Sequence, residues 1–224
     1  MTDPRWSEVD RYINELLVPT DPSMDAALEA SRRAGLPEIH VSPSQGRLLE
    51  IIARMQRATR VLEIGTLGGY STLWLARSLP EGGWIVTIEA EPAHAAVARS
   101  NFARAGVSGV IDLREGEAAS VLEQLAAESP ALFDFVFIDA DKAGIPGYFR
   151  QSLRLVRPGA AILVDNVVRK GAVADPNSSD PSVLGVRRFN ELLRAELRVR
   201  ATTIQTVGSK GYDGFTLVLV EERR

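Results

Sequence analysis

Cysteine is absent from the 224-residue chain. That excludes disulfides, thiolate metal sites and cysteine nucleophiles, without itself proving a reducing compartment. Histidine is scarce, with two residues: His40 reads as part of a linker and His94 as a helix-surface residue, so neither is assigned to a metal. No apolar run approaches the ~20 residues that span a bilayer, so no membrane partner is expected. The segment Met1 to Leu17 is polar and amphipathic rather than a signal peptide. A formal net charge of −3 gives no global attraction to nucleic acid or to an anionic membrane. What is present is a 45% hydrophobic, 25% charged composition, which suits a soluble, cytoplasmic protein built as one large α/β domain.

Helical spacing of Trp6, Val9, Ile13, Leu16 and Leu17 predicts a first helix that Pro19 ends. A second opens at Pro22 and closes at Gly35, and a third spans Ser44 to Arg57 with Leu48, Leu49, Ile51 and Ile52 inward. Because they precede any strand, residues 1–58 read as a helical appendage packed on a main domain, 59–224. From Arg60 onward short apolar runs alternate with helical ones. The strands are Val61–Ile64, Trp84–Ile88, Val110–Leu113, Phe133–Ile138 and Ala160–Val164. Helices are expected from Ser71, at Ala93–Ala105, at Ala118–Ala127, and at Tyr148–Val156 before the fifth strand. This alternation implies a doubly wound parallel sheet with helices on both faces. After a helix at Val183–Leu193 the pattern changes. Two strand-like runs, Val199–Val207 and Phe215–Val220, flank the turn-rich Gly208–Gly214 and predict an antiparallel hairpin at one edge.

Chemistry-bearing residues gather at strand ends. Asp139-Ala140-Asp141-Lys142 follows the fourth strand and Asp165-Asn166 the fifth. Together they can bring three oxygen ligands to one sheet edge, which suits a hard divalent cation such as Mg²⁺. For either cluster alone, a turn or a helix cap is the alternative. Upstream, Glu63-Ile-Gly-Thr-Leu-Gly-Gly-Tyr-Ser71 joins the first strand to its helix, where doubly wound folds bind nucleotides. Glu89 ends the second strand, 24 residues after Gly65, placed to take the two ribose hydroxyls of an adenosine. Leu67 occupies the second glycine's place in the dinucleotide fingerprint, where a pyrophosphate would press. The loop therefore fits an adenosine ligand without pyrophosphate, such as S-adenosylmethionine (SAM), with Glu63 near its ammonium and Ser71 at its methionine end.

With these motifs in place, the chain resembles the cation-dependent O-methyltransferases of the catechol and caffeoyl-coenzyme A type over roughly Val41 to Val220. Besides the glycine loop and the two acidic clusters, the matching segments are Ser42-Pro-Ser-Gln-Gly46, Gly116-Glu-Ala118 and Tyr212-Asp-Gly-Phe215. The resemblance implies a seven-stranded, mostly parallel sheet with a reversed last strand. It implies Asp139, Asp165 and Asn166 as ligands of Mg²⁺ (or Mn²⁺ or Ca²⁺). Around SAM it implies Glu63, Gly65, Thr66, Ser71, Glu89, Ala118 and Asp141, with Val41 contributing backbone. Lys142 matches the family's catalytic lysine, and Asp139 belongs to the catalytic pair as well. The implied substrate is a small aromatic molecule with vicinal hydroxyls, and the implied assembly is a homodimer whose N-terminal helices help form the interface.

Two segments depart from the family pattern. Ile145 stands where plant-type relatives carry a tyrosine, leaving Tyr148, and Val168-Arg169 replaces an apolar-aromatic pair. Arg169 and Lys170 are read first as solvated loop charge and second as the mark of an acidic or phosphorylated substrate. For Lys142, the alternative to catalysis is a surface lysine paired with Asp141. A non-catalytic SAM-binding scaffold and an RNA methyltransferase are the competing functions. The first has no need for the metal trio. The second lacks a basic stripe and an Asn/Asp-Pro-Pro-Tyr/Phe motif.

Overall fold

The structure, a computed structural model, describes residues 3–128 and 132–222. Three helices come first: α1 (Pro4–Leu17), α2 (Pro22–Arg33) and α3 (Pro43–Met55). Each begins with a polar cap and a proline in the first turn. The side chains of Asp3, Asp21 and Ser42 accept from backbone N–H groups that would otherwise be unpaired, and proline loses nothing where no N–H partner exists. The alternating section follows as β1 (Arg60–Ile64), α4 (Tyr70–Ser78), β2 (Trp84–Glu89), α5 (Pro92–Arg104), β3 (Ile111–Glu115), α6 (Ala118–Ala127), β4 (Phe133–Ile138), α7 (Ile145–Leu155) and β5 (Val156–Asp165). The chain ends with α8 (Pro181–Ala195), β6 (Val199–Gly208) and β7 (Gly211–Val220).

All seven strands form one sheet in the order β3-β2-β1-β4-β5-β7-β6. The first five run parallel, and β7 enters antiparallel between β5 and β6. This is the doubly wound sheet with a reversed last strand that the sequence implies. The strand order reverses between β1 and β4, which opens a crevice beyond their carboxyl ends. Alternation along each strand divides the core into two layers. Leu62, Ile64, Val136 and Ile138 pack under α6, α7 and α8, whereas Val61, Phe135 and Phe137 pack under α3, α4 and α5. Met24 and Ala27 of α2 and Leu49 and Ala53 of α3 are buried in that second layer. Helix α1 buries no residue.

Several boundaries differ from the sequence reading. Helix α7 starts at Ile145, with Pro146 in its first turn, and ends before Val156. Val156 instead opens β5 opposite Phe133, and a register shift absorbs the Arg157-Pro158-Gly159 segment. Gly208 pairs with Gly211, so the hairpin loop is only Ser209-Lys210 and Tyr212 and Asp213 lie in the ladder. Ile51, expected inward, is exposed. Among the described residues no helix is long and apolar enough to cross a membrane.

Candidate active site

The crevice holds a cavity of about 700 Å³. Its floor is made where the β1 and β4 loops touch. The Asp139 N–H donates to the Ile64 carbonyl at 2.9 Å, and the Gly65 N–H donates to the Ile88 carbonyl at 3.0 Å. Gly65 has φ +98°, and a Cβ there would stand 2.3 Å from the Asp139 carbonyl oxygen. Only glycine lets the two loops meet this closely.

Glu89 grips the glycine loop from β2. Its Oε2 accepts from the backbone N–H of Thr66 at 3.2 Å and of Leu67 at 2.7 Å. Its Oε1 accepts from the Glu91 N–H at 3.0 Å and lies 3.5 Å from His94 Nδ1. Leu67 adopts a left-handed backbone, φ 51°, a conformation costly for a branched side chain and common where a functional site holds the chain. Gly69 begins α4 with no side-chain cap, and Tyr70 and Ser71 beside it line the cavity.

Glu63 lies one layer beneath the cavity wall. It is fully buried and accepts from Ser71 Oγ at 2.6 Å, from Thr72 Oγ1 at 2.5 Å and from Thr87 Oγ1 at 2.6 Å. Burial chiefly, and the charge of Asp139 in addition, push its carboxyl up to about 7 against those three hydrogen bonds.

In the loop after β4, Lys142 Nζ donates to Asp139 Oδ1 at 2.7 Å. The lysine is nearly buried and its partner is Asp139, not the Asp141 of the surface alternative. Asp141 faces the other way. Its Oδ1 accepts from the Gly144 N–H at 2.7 Å and its Oδ2 from the Tyr148 hydroxyl, an arrangement that burial and Asp141 together make costly for ionising the phenol. Asp165 is buried at the end of β5, its Oδ2 accepting from Gln45 Nε2 at 2.6 Å and its Oδ1 from the Asn166 N–H at 2.8 Å. Loss of solvent and the nearby Asp139 raise its carboxyl well above the usual range, with Lys142 opposing the shift. Asn166 lines the cavity in a left-handed conformation, φ 55°. Among the described residues no three His, Cys, Asp or Glu side chains converge as a metal cluster. The set here is two carboxylates and one amide. Its chemistry fits a hard divalent cation, because two close carboxylates with one lysine between them leave negative charge to be balanced.

The structure therefore brings Val41, Gly65, Thr66, Ser71, Glu89, Ala118, Asp139, Asp141, Lys142 and Asn166 to the lining of one cavity, with Glu63 and Asp165 buried behind it. His40 and His94, read as linker and helix surface, also line it. Gln45 was legible only as part of the Ser-Pro-Ser-Gln-Gly motif, since its partner lies 120 residues away.

A crevice of this kind, with an acidic strand end holding a glycine loop, defines a doubly wound nucleotide-type binding protein. The sequence pattern of the O-methyltransferase family matches residues 18–220, and the chain belongs to that family. It is 47% identical over 221 residues to a catechol O-methyltransferase of Niastella koreensis, covering 99% of this chain and all of that one. Among solved structures, the O-methyltransferase from Bacillus cereus in complex with S-adenosylhomocysteine (SAH) superposes with a TM-score of 0.96 at 50% identity, over 97% of this chain and 99% of the other. TomG of Streptomyces achromogenes, solved with SAM and involved in tomaymycin synthesis, gives 0.96 at 50% identity over 99% of this chain and 100% of that one.

Proposed function

We propose that this chain transfers the methyl group of SAM to one hydroxyl of a small aromatic vicinal diol, with a divalent cation (Mg²⁺, or Mn²⁺ or Ca²⁺) held by Asp139, Asp165 and Asn166. The observation that carries this reading is the shared cavity: the loop gripped by Glu89 and the Asp139–Lys142 pair face one space. Glu89 keeps lone pairs for the ribose hydroxyls after serving the loop. Ala118, Asp141 and Tyr148 form the wall for the adenine end. The uncapped N-terminus of α4 and Ser71 suit the carboxylate and ammonium of the methionine end. Glu63 holds the Ser71 hydroxyl from behind, and Val41 contributes backbone at the same end.

When bound, the cation would supply the positive charge that holds both oxygens of the diol and eases loss of a hydroxyl proton. Lys142, beside Asp139, would receive that proton at Nζ in its neutral amine form. The oxygen forms its bond to the methyl carbon as the carbon–sulfur bond breaks, and SAH leaves with the electron pair of that bond. Confinement of donor and acceptor in one cavity provides the alignment. The names of the relatives, catechol O-methyltransferase among them, support this acceptor class.

The exposed apolar face of α1 (Val9, Tyr12, Leu16 and Leu17) supports a homodimer in which a second copy covers it. Purified protein incubated with SAM and a catechol panel should form methyl ether in Mg²⁺ and stop in EDTA. Turnover that survives chelation, or survives Asp139→Ala, overturns the metal role; absence of any methylated product overturns the reaction.

A further inference from the structure

Two basic residues follow Asp165-Asn166-Val167-Val168, and the fold separates them. Lys170 is exposed, whereas Arg169 is half-buried and lines the cavity with Asp139, Lys142 and Asn166. Both adopt left-handed backbone, φ 55° and 56°, in the turn Arg169–Ala174. Such a conformation costs on the order of 1–3 kcal/mol per non-glycine residue and persists only where neighbours hold it. Asp213 does so: its Oδ1 accepts from the N–H of Val168 at 2.9 Å and of Arg169 at 3.0 Å, as well as from that of Gly214 at 3.0 Å.

The guanidinium itself is poorly served by this arrangement. Its Nη1 is 3.9 Å from Asp213 Oδ2, beyond hydrogen-bond reach, and its Nε is buried without an acceptor. A buried donor left unpaired is costly, and an arginine carries five donors in a fixed fork. Lys142, another basic side chain lining the cavity, is already committed to Asp139. Arg169 is thus a cation at the acceptor end with unused donors, where the family pattern has an aromatic side chain.

We infer that Arg169 selects acceptors bearing a carboxylate, so that the preferred class is a dihydroxylated aromatic acid rather than a neutral catechol. This rests on the methyl-transfer reading of the cavity. The planar guanidinium matches a carboxylate in bidentate fashion. A phosphorylated acceptor fits less well, because its charge of roughly −1.5 to −2 would face Asp139, Asp165 and Asp213 with one free cation to balance it.

The test compares 3,4-dihydroxybenzoate with its methyl ester in the wild-type protein, Arg169→Gln and Arg169→Lys. The wild type should favour the acid about tenfold or more in kcat/KM, the scale of one charge-assisted hydrogen-bond pair. In Arg169→Gln that ratio should fall to within about threefold of unity, mainly through KM for the acid, and Arg169→Lys should keep part of it. Both variants meet the same left-handed backbone as arginine, so folding strain does not separate them. Equal use of acid and ester by the wild type, or a preference that survives Arg169→Gln, overturns the inference. So does tighter use of 3,4-dihydroxybenzylphosphonate than of the acid. Calorimetric binding of acid and ester to the Mg²⁺- and SAH-loaded protein gives the same comparison without turnover. Acid-selective binding that needs Arg169, with no methylation, supports the arginine and sinks the reaction; absence of binding by either compound overturns the arginine's role.

Discussion

Gly185 of α8 packs so closely on Lys142 that a Cβ at this glycine would stand 2.1 Å from the Lys142 carbonyl oxygen. The helix therefore presses directly on the loop that presents Lys142 and Asp139, although Gly185 faces no ligand. Gly185→Ala should displace that loop, lower kcat roughly tenfold, and destabilise the fold by about 1–3 kcal/mol, the usual cost of overpacking. Gly147 of α7 is the control, since a Cβ there meets nothing within 4 Å. Gly147→Ala should be neutral or mildly stabilising. Steady-state kinetics and urea titrations of the two variants decide the matter, and an unchanged kcat in Gly185→Ala would show that the loop tolerates the push.

Asp139 pairs with Lys142 and, in the proposed function, is also one of the cation's oxygen ligands. Asp139→Asn keeps the shape but removes the charge that pairs with Lys142 Nζ at 2.7 Å. We expect a loss of kcat/KM on the order of 100-fold or more with catechol, and loss of any stimulation by Mg²⁺. SAM affinity should change far less, because Glu89 holds the glycine loop through its own hydrogen bonds to Thr66 and Leu67. A variant whose Mg²⁺ response matches that of the wild type would remove Asp139 from the ligand set.

Glu63 makes stability depend on pH. Its folded carboxyl is raised from 4.5 to about 7, chiefly by burial. Below the unfolded value both states are protonated, so this group changes nothing. Between 4.5 and about 7 only the unfolded chain ionises freely, so stability falls as pH rises through that window and then levels off. The ceiling on the loss is about 3 kcal/mol, and the raised Asp165 contributes with the same sign. Urea midpoints measured at pH 5 and pH 8 without ligand should show the drop, and Glu63→Gln should flatten it. A wild type more stable at pH 8 than at pH 5 would contradict this account.

Much of this architecture was visible in the chain because its central strands β1, β2, β4 and β5 carry apolar residues on both faces. Phe133–Ile138 is buried at every position, and such a run announces a central parallel strand without its neighbours. The loops after β1, β4 and β5 could be read because the glycine loop and the two acidic clusters occur together, whereas either cluster alone would suit a turn or a cap. Pairings across the fold were not legible. Whether Lys142 turns to Asp139 or to Asp141 depends on how the β4 loop bends over Gly65, and Gln45 meets Asp165 only after α3 docks on the sheet edge. Arg169 and Lys170 are neighbours of like charge in the sequence, and only the left-handed turn held by Asp213 sends one to the cavity and the other to solvent.

Helix α1 makes polar contacts with the rest of the chain, and several of its apolar residues are left exposed. Asn14 Oδ1 accepts from Ser44 Oγ at 2.5 Å, and Asp10 Oδ2 accepts from the Ser209 N–H at 2.7 Å, fixing the helix against α3 and the β6–β7 hairpin. Leu16 and Leu17 nonetheless remain 63% and 68% exposed, and Tyr12 65%. Exposed leucines in a row gain about 1.5–3 kcal/mol each when fully covered, which a single copy of the chain forgoes. Analytical ultracentrifugation at tens of micromolar should therefore find the wild type at twice the mass of the chain. Leu16→Glu combined with Leu17→Glu should move it to the single-chain mass, because the new carboxylates would be buried unpaired in the joined state. The melting temperature of the wild type should rise with protein concentration, and that of the double variant should not. A wild type that sediments as one chain at every concentration removes the second copy from the account of α1.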